Sequence, residues 1–171
     1  MNGMSDQELA ATVRAAQRGD AMAMDALVDE LMPYVGQICG AIALEHGEDA
    51  AQNALIAVLR NLRSLEKPGA LRGWVRTIAT REAVHFARRA RREQPVENVE
   101  LRRADPADSQ LGVEIRDQLE RLDPAQRAVL VLRDLEGLGE EEVAALLELP
   151  TGTVKSRLHR ARARFRKGWQ P

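Results

Sequence analysis

The sequence predicts an all-α protein built as two small helical domains joined by a flexible linker. Three observations predict it. The 171 residues favour Ala, Leu, Arg and Glu, all good helix formers, while Phe, Trp and Tyr together make up 3%. Apolar residues recur at spacings of three and four along most of the chain, which is the period of an amphipathic helix. That period fails between about Glu93 and Gly112, where Pro95 and Pro106 stand among scattered acids. The expected division is a helical bundle over 1–92, a linker over 93–112 and a second helical domain over 113–171.

In the bundle, Ser5 or Asp6 caps a helix running through Leu9 and Val13 to about Arg18. Gly19-Asp20 ends it and starts the next, which carries Met24, Leu27, Val28 and Leu31. Pro33 and Gly36 are expected to interrupt or kink the stretch from Tyr34 to Leu44. Glu48-Asp49 then opens a helix to about Leu62. On its wheel Ala51, Leu55, Val58, Leu59 and Leu62 account for packing, and Asp49, Asn53, Ile56 and Arg60 lie opposite. An Ile on that polar side is either a stray exposed residue or the centre of a partner contact.

Pro68-Gly69 marks a loop, and a long helix from Leu71 to Arg92 closes the bundle. Trp74, Val75, Ile78, Ala79 and Phe86 supply its apolar contacts; Arg72, Arg76, Arg81, Arg88, Arg89, Arg91 and Arg92 supply its charge. Arg beside aromatic rings is a common means of holding single-stranded or distorted nucleic acid. The alternative is a buried Trp anchor with solvated Arg around it. Trp74 is read as mainly structural and the Arg residues as mainly functional.

Beyond the linker, Leu111 to Leu122 is expected to form a helix with Val113, Ile115 and Leu119 among its apolar residues. Asp123-Pro124 supplies a cap followed by Pro at the first helical position, opening a helix from Ala125 to Leu135 that Gly137 stops. Gly139 to Leu147 is a short helix with Val143, Leu146 and Leu147 on one side. Its first turn holds Glu140, Glu141 and Glu142, where the helix dipole favours acids. Leu149-Pro150 breaks it. Thr151 is placed to cap the last helix, whose Val154, Leu158, Ala161 and Phe165 form one apolar stripe.

Two short helices about a turn of three to four residues make a helix-turn-helix, with the second helix presented to the major groove. That second helix carries Lys155, Arg157, Arg160, Arg162, Arg164, Arg166 and Lys167 without one acid among them. Their mutual repulsion weakens the free helix, and phosphates relieve it as condensed counterions are released. Opposite the apolar stripe lie Ser156, His159 and Arg160, the candidates for the groove. Lys155 and Arg162 on one flank, with Arg157 and Arg164 on the other, are placed to straddle the two phosphate backbones. A solvated basic face is the plainer reading of such a run; the preceding acidic helix and turn argue against it.

The net charge of −1 hides a strong segregation. Arg72 to Arg92 has Glu82 as its single acid, whereas Glu93 to Asp123 holds nine acids against four Arg. Two basic surfaces are thus separated by an acidic spacer whose twenty or so residues span at most about 70 Å when extended, roughly two turns of duplex DNA.

Other chemistries find little support. The single Cys39 rules out an internal disulfide and reads as a small core residue; with three His it gives no zinc-ligand spacing, so neither metal nor cofactor is expected. No run of about 18 apolar residues and no signal segment stands out, so a cytoplasmic protein without membrane insertion is expected. His46, Glu48 and Asp49 form the best enzyme-like cluster. They sit at a helix start, where acids are accounted for by the dipole, and no nucleophile or glycine-rich phosphate loop accompanies them. No enzyme is expected.

The C-terminal stretches Leu122-Asp123-Pro124-Ala125-Gln126-Arg127, Leu132-Arg133-Asp134-Leu135-Glu136-Gly137-Leu138 and Gly152-Thr153-Val154-Lys155-Ser156-Arg157-Leu158 resemble, in order and spacing, region 4 of the extracytoplasmic-function group of bacterial sigma factors. These are the promoter-recognition subunits of RNA polymerase. Gly19-Asp20, Glu48-Asp49-Ala50-Ala51-Gln52 and Trp74-Val75-Arg76-Thr77-Ile78-Ala79 resemble the family's region 2.

The resemblance implies core RNA polymerase and promoter DNA as partners, with an anti-sigma factor where one masks the two domains. It implies that Asp49, Gln52, Asn53, Ile56 and Arg60 meet the polymerase clamp. The loop Ser64 to Gly69 and the helix after it, through Arg72, Trp74, Arg76, Arg81, Arg88 and Arg89, would engage the downstream promoter element and help capture an unpaired base. Thr151, Thr153, Lys155, Ser156, Arg157, His159, Arg160 and Arg162 would meet the upstream element as duplex.

There are departures from the family's pattern. Arg81 and His85 stand where members commonly carry Asn and Asp, and Gly139 stands where a Ser or Thr cap is usual. A stand-alone helix-turn-helix regulator remains the alternative. Such proteins usually dimerise, whereas this chain has no apolar heptad seam and the second basic helix would be left unexplained.

Overall fold

A computed structural model describes residues 4–93 and 110–168, and every element among them is helical. The expected linker falls outside the described residues except for Glu93 and residues 110–112, which are helical. Among the described residues the eight α-helices are α1 (Asp6–Gln17), α2 (Ala21–Ala43), α3 (Gly47–Asn61), α4 (Leu71–Glu93), α5 (Gln110–Glu120), α6 (Pro124–Leu130), α7 (Glu140–Leu147) and α8 (Thr151–Gly168). Cα proximity divides the chain into two compact units, residues 1–40 with 45–83 and residues 41–44 with 84–171.

In the first unit, Ser5 caps α1 through a reciprocal box: the Glu8 N–H donates to Ser5 Oγ and the Ser5 N–H to Glu8 Oε2. Gly19, at φ +94°, ends the helix in a left-handed turn. The core contains Leu9 and Val13 of α1, Leu27, Leu31, Val35 and Ile38 of α2, Ala54 and Val58 of α3, and Leu71, Val75 and Ala79 of α4. Cys39 is fully buried, as its reading as a core residue requires.

Of the interruption or kink expected at Pro33 and Gly36, the interruption does not occur. α2 runs unbroken through both. An interior Pro costs about 3 kcal/mol, but each of Leu27, Leu31, Val35 and Ile38, all at most 2% exposed, contributes about 1.5–3 kcal/mol by burial, so the continuous stripe prevails. By length and composition the run from Ala21 to Ser64 would suffice to cross a membrane; within it Leu27, Leu31, Val35 and Ile38 are buried in the core of the unit. Leu44, at φ +56°, then turns the chain toward α3.

The inward face of α3 is also rotated from its wheel. Gly47, Ala50, Ala54, Leu55 and Val58 are buried, while Ala51 and Leu59 are only half-buried. Small residues take the centre because α3 and α2 approach backbone to backbone at Gly47 and Gly40. A hydrophobicity wheel centres on the largest residues and misses this.

The second unit is organised around Leu122, Val129, Leu132, Leu138, Val143, Val154, Leu158 and Ala161, with Leu119, Leu149 and Phe165 packed against them. Ile115, one of the apolar residues of α5, is 38% exposed. Asp123 caps α6 by accepting from the Ala125 and Gln126 N–H groups, each at 3.0 Å, and Gln126 answers through the Asp123 N–H. The helix expected from Ala125 to Leu135 stays α-helical only to Leu130. Val131–Leu135 widens into a π turn, with the Glu136 N–H bonded to Val131 O, before Gly137 stops it at φ +69°.

Candidate nucleic-acid interface

α8 is held by α6 and α7, its Val154, Leu158 and Ala161 pressed into their apolar surface. The turn that presents it is a left-handed cap. Glu148 takes φ +55°, the Leu149 N–H reaches Ala144 O at 2.9 Å and the Glu148 N–H reaches Ala145 O at 3.4 Å, which is the paired bonding of a Schellman motif. At the head of α7 the Gly139 N–H donates to Glu142 Oε2 at 2.6 Å, so the box that lacks a cap hydroxyl keeps its other half.

The cap of α8 is not Thr151. The Val154 N–H bonds to Pro150 O at 3.1 Å, so Pro150 holds the cap position and Thr151 is the first helical residue. Proline has already lost its own N–H, and its fixed φ makes it a ready pivot between the two helices.

Ser156, His159 and Arg160 are exposed on the side of α8 opposite its buried stripe. Ser156 Oγ donates to Thr153 O at 3.0 Å, and Arg160 lies back along the helix, its Nε on Ser156 O at 3.2 Å and its Nη2 on Ser156 Oγ at 3.3 Å. The outermost polar edge of the helix is therefore pre-set. Thr151, Thr153 and Arg157 are half-buried beside it.

The flanks differ from one another. Arg162 forms a two-pronged pair with Asp134 of the π turn, Nη2 to Oδ1 at 2.5 Å and Nε to Oδ2 at 3.1 Å, a bond that raises its pKa further. Lys155 Nζ stands 3.5 Å from Glu140 Oε2. Sequence reasoning missed Asp134, which lies 28 residues from its partner, and took Glu140 only as a dipole acid. No period in a sequence reports such a pairing.

In the first unit, Asp49, Gln52, Asn53, Ile56 and Arg60 share the outward face of α3 and all are exposed, Ile56 at 46%. The residues singled out on α4 do not share a face. At 100° per residue Trp74 and Arg81 fall within about 20° of one another, while Arg72 and Arg76 turn to the other side; His85, Arg88 and Arg89 lie farther along α4, in the second unit. Arg72 is 3.4 Å from Glu30 Oε1, and Arg89 is paired with Glu93 at 2.8 Å. Trp74 is half-buried, consistent with an anchor.

Between α3 and α4 the chain makes two 3-10 turns, Leu62–Ser64 and Pro68–Ala70, with Leu65 buried and Ser64, Glu66, Lys67 and Gly69 exposed. Gln17 of α1 fixes the start of this loop: its side-chain Nε2 donates to Leu62 O and to Leu65 O, each at 2.9 Å. This tie spans 45 and 48 residues and was invisible to local reasoning.

Comparison with known proteins matches these features. Residues 27–93 fit the family model described as Sigma-70 region 2, and residues 112–165 fit that described as Sigma-70, region 4. The RNA polymerase sigma-H factor of Pseudomonas aeruginosa is 33% identical over 188 residues, covering 97% of this chain and 94% of that protein. The ECF RNA polymerase sigma factor SigE of Mycolicibacterium smegmatis is 36% identical over 129 residues, 70% of this chain; the chain spans half the length of that relative. Among solved structures, the sigma factor RpoE of Bartonella quintana, in complex with the anti-sigma factor NepR, superposes with a TM-score of 0.63 at 25% identity, covering 82% of this chain and 92% of that one.

Proposed function

The chain belongs to the extracytoplasmic-function group of the sigma-70 family of RNA polymerase sigma factors, and from that premise we propose that it is a dissociable initiation subunit that performs no chemistry of its own. It binds core RNA polymerase in the cytoplasm, brings it to a restricted set of promoters and assists strand opening. Residues 1–92 serve as region 2, 113–171 as region 4, and 93–112 as the tether between them.

The observation that carries this reading is the exposed edge of α8, Ser156, His159 and Arg160, on a helix whose other side is locked into a helix-turn-helix core. That edge reads the upstream element as duplex, with Thr151, Thr153, Lys155, Arg157 and Arg162 around it on the backbone. Trp74, Arg81 and Arg88, supported by Arg72, Arg76 and Arg89, meet the downstream element beside the loop that Gln17 ties down. Asp49, Gln52, Asn53, Ile56 and Arg60 dock on the polymerase. An anti-sigma factor that covers these surfaces is the partner expected to hold the protein inactive, as the complex formed by the RpoE neighbour suggests.

Transcription in vitro with core polymerase tests the proposal. Added protein should start transcripts from a small subset of genomic promoter fragments; a folded protein that supports no initiation anywhere overturns it.

A further inference from the structure

The basic helix α8 is less basic, as folded, than its sequence. Arg162 and Lys155 lie seven residues apart and therefore on one flank, and each faces a carboxylate from outside the helix. Asp134 offers Arg162 two oxygens in the same forked geometry by which a phosphate takes a guanidinium. Glu140, at the head of α7, stands against Lys155. On the opposite flank, Arg157 and Arg164 have no such carboxylate among the described residues.

We propose that Asp134 and Glu140 act as built-in phosphate surrogates that hold Arg162 and Lys155 and so lower the attraction of α8 for DNA of arbitrary sequence. The inference rests on the reading of α8 as the DNA-facing helix. Sequence-independent binding is almost wholly the release of counterions by unpaired cations. A cation already matched by a protein carboxylate brings no net charge to the backbone, and its transfer to a phosphate only exchanges one anion for another. Base-edge contacts from Ser156, His159 and Arg160 do not draw on that charge. The two acids thus keep the protein from being held on non-promoter DNA while leaving the reading edge intact.

The test uses the full chain and a fluorescent duplex of scrambled sequence, with affinity followed by anisotropy across a salt series. D134N and E140Q should each steepen the slope of log affinity against log salt by about 0.9, and raise affinity several-fold at low salt. E141Q removes the same charge from α7 without freeing a cation of α8 and should leave the slope unchanged. Unaltered slopes in D134N and E140Q, or an equal change in E141Q, overturn the inference while duplex binding by the unmodified chain leaves the reading of α8 standing. No duplex binding by the unmodified chain removes both. Should D134N fail to fold, as judged by its far-UV dichroism, E140Q carries the same comparison.

Discussion

A Cβ on Gly47 of α3 would stand 2.7 Å from the Cα of Gly40 of α2, so the two helices meet there with no side chain between them. Nothing at that distance is a flexible side-chain tip that can swing aside. G47A is therefore expected to lower stability by about 1–3 kcal/mol, read as a lower urea midpoint. The converse change is benign. A Cβ on Gly40 meets nothing within 4 Å, and G40A should gain about 0.5–1 kcal/mol from helix propensity.

Glu148 ends α7 in the left-handed region at φ +55°, a conformation that costs a residue with a Cβ about 1–2 kcal/mol. E148G removes that cost, less about 0.5–1 kcal/mol of added freedom in the unfolded chain. The expected net gain is a few tenths to about 1 kcal/mol in a denaturant titration. E148V should lose stability, since a β-branched residue resists this backbone still more.

Cys39 Sγ donates to Ala79 O at 3.6 Å, and burial, aided by the charge of Glu82, pushes the thiol up to about 12. The native protein should resist iodoacetamide at pH 8 and react fully once unfolded in urea. Because the folded thiol holds its proton above the unfolded pKa of about 8.5, its contribution to stability is complete below that pH. It is lost between there and about 12, at up to about 1.4 kcal/mol per pH unit. Urea titrations at pH 8, 9 and 10 should show this decline, and C39A should flatten it relative to the parent.

Ile56 stands on a polar surface with Asp49, Gln52, Asn53 and Arg60 about it. I56D should weaken binding to core polymerase by about tenfold, the scale of a moderate contact residue, while shifting unfolding by no more than about 0.5 kcal/mol. Biolayer interferometry against core enzyme, with a parallel thermal melt, separates the two effects. Unchanged affinity would take α3 out of the polymerase contact.

The parts of this molecule that were legible in the chain are those whose cause is local. The stripe of Val154, Leu158 and Ala161, the cap at Asp123, and the stops at Gly19 and Gly137 each arise among residues within a few turns of one another, and each is where periodicity and cap chemistry put it. The exposed edges come by subtraction. Once the buried stripe of α8 is known, Ser156, His159 and Arg160 have only one side left to occupy.

What the sequence by itself determined, then, is the all-helical architecture, the helix-turn-helix and the edge it exposes, because neighbouring residues set helical period and capping whatever lies farther off. Only the tertiary structure decided that α2 continues through Pro33, that α3 turns small residues inward at Gly47, and that Asp134 claims Arg162 and Gln17 claims the loop at Leu62 and Leu65. Each of these is settled by a surface or an oxygen supplied from a distant part of the chain. Burial energy and paired charge act across space, and a local pattern carries no record of which distant group will arrive.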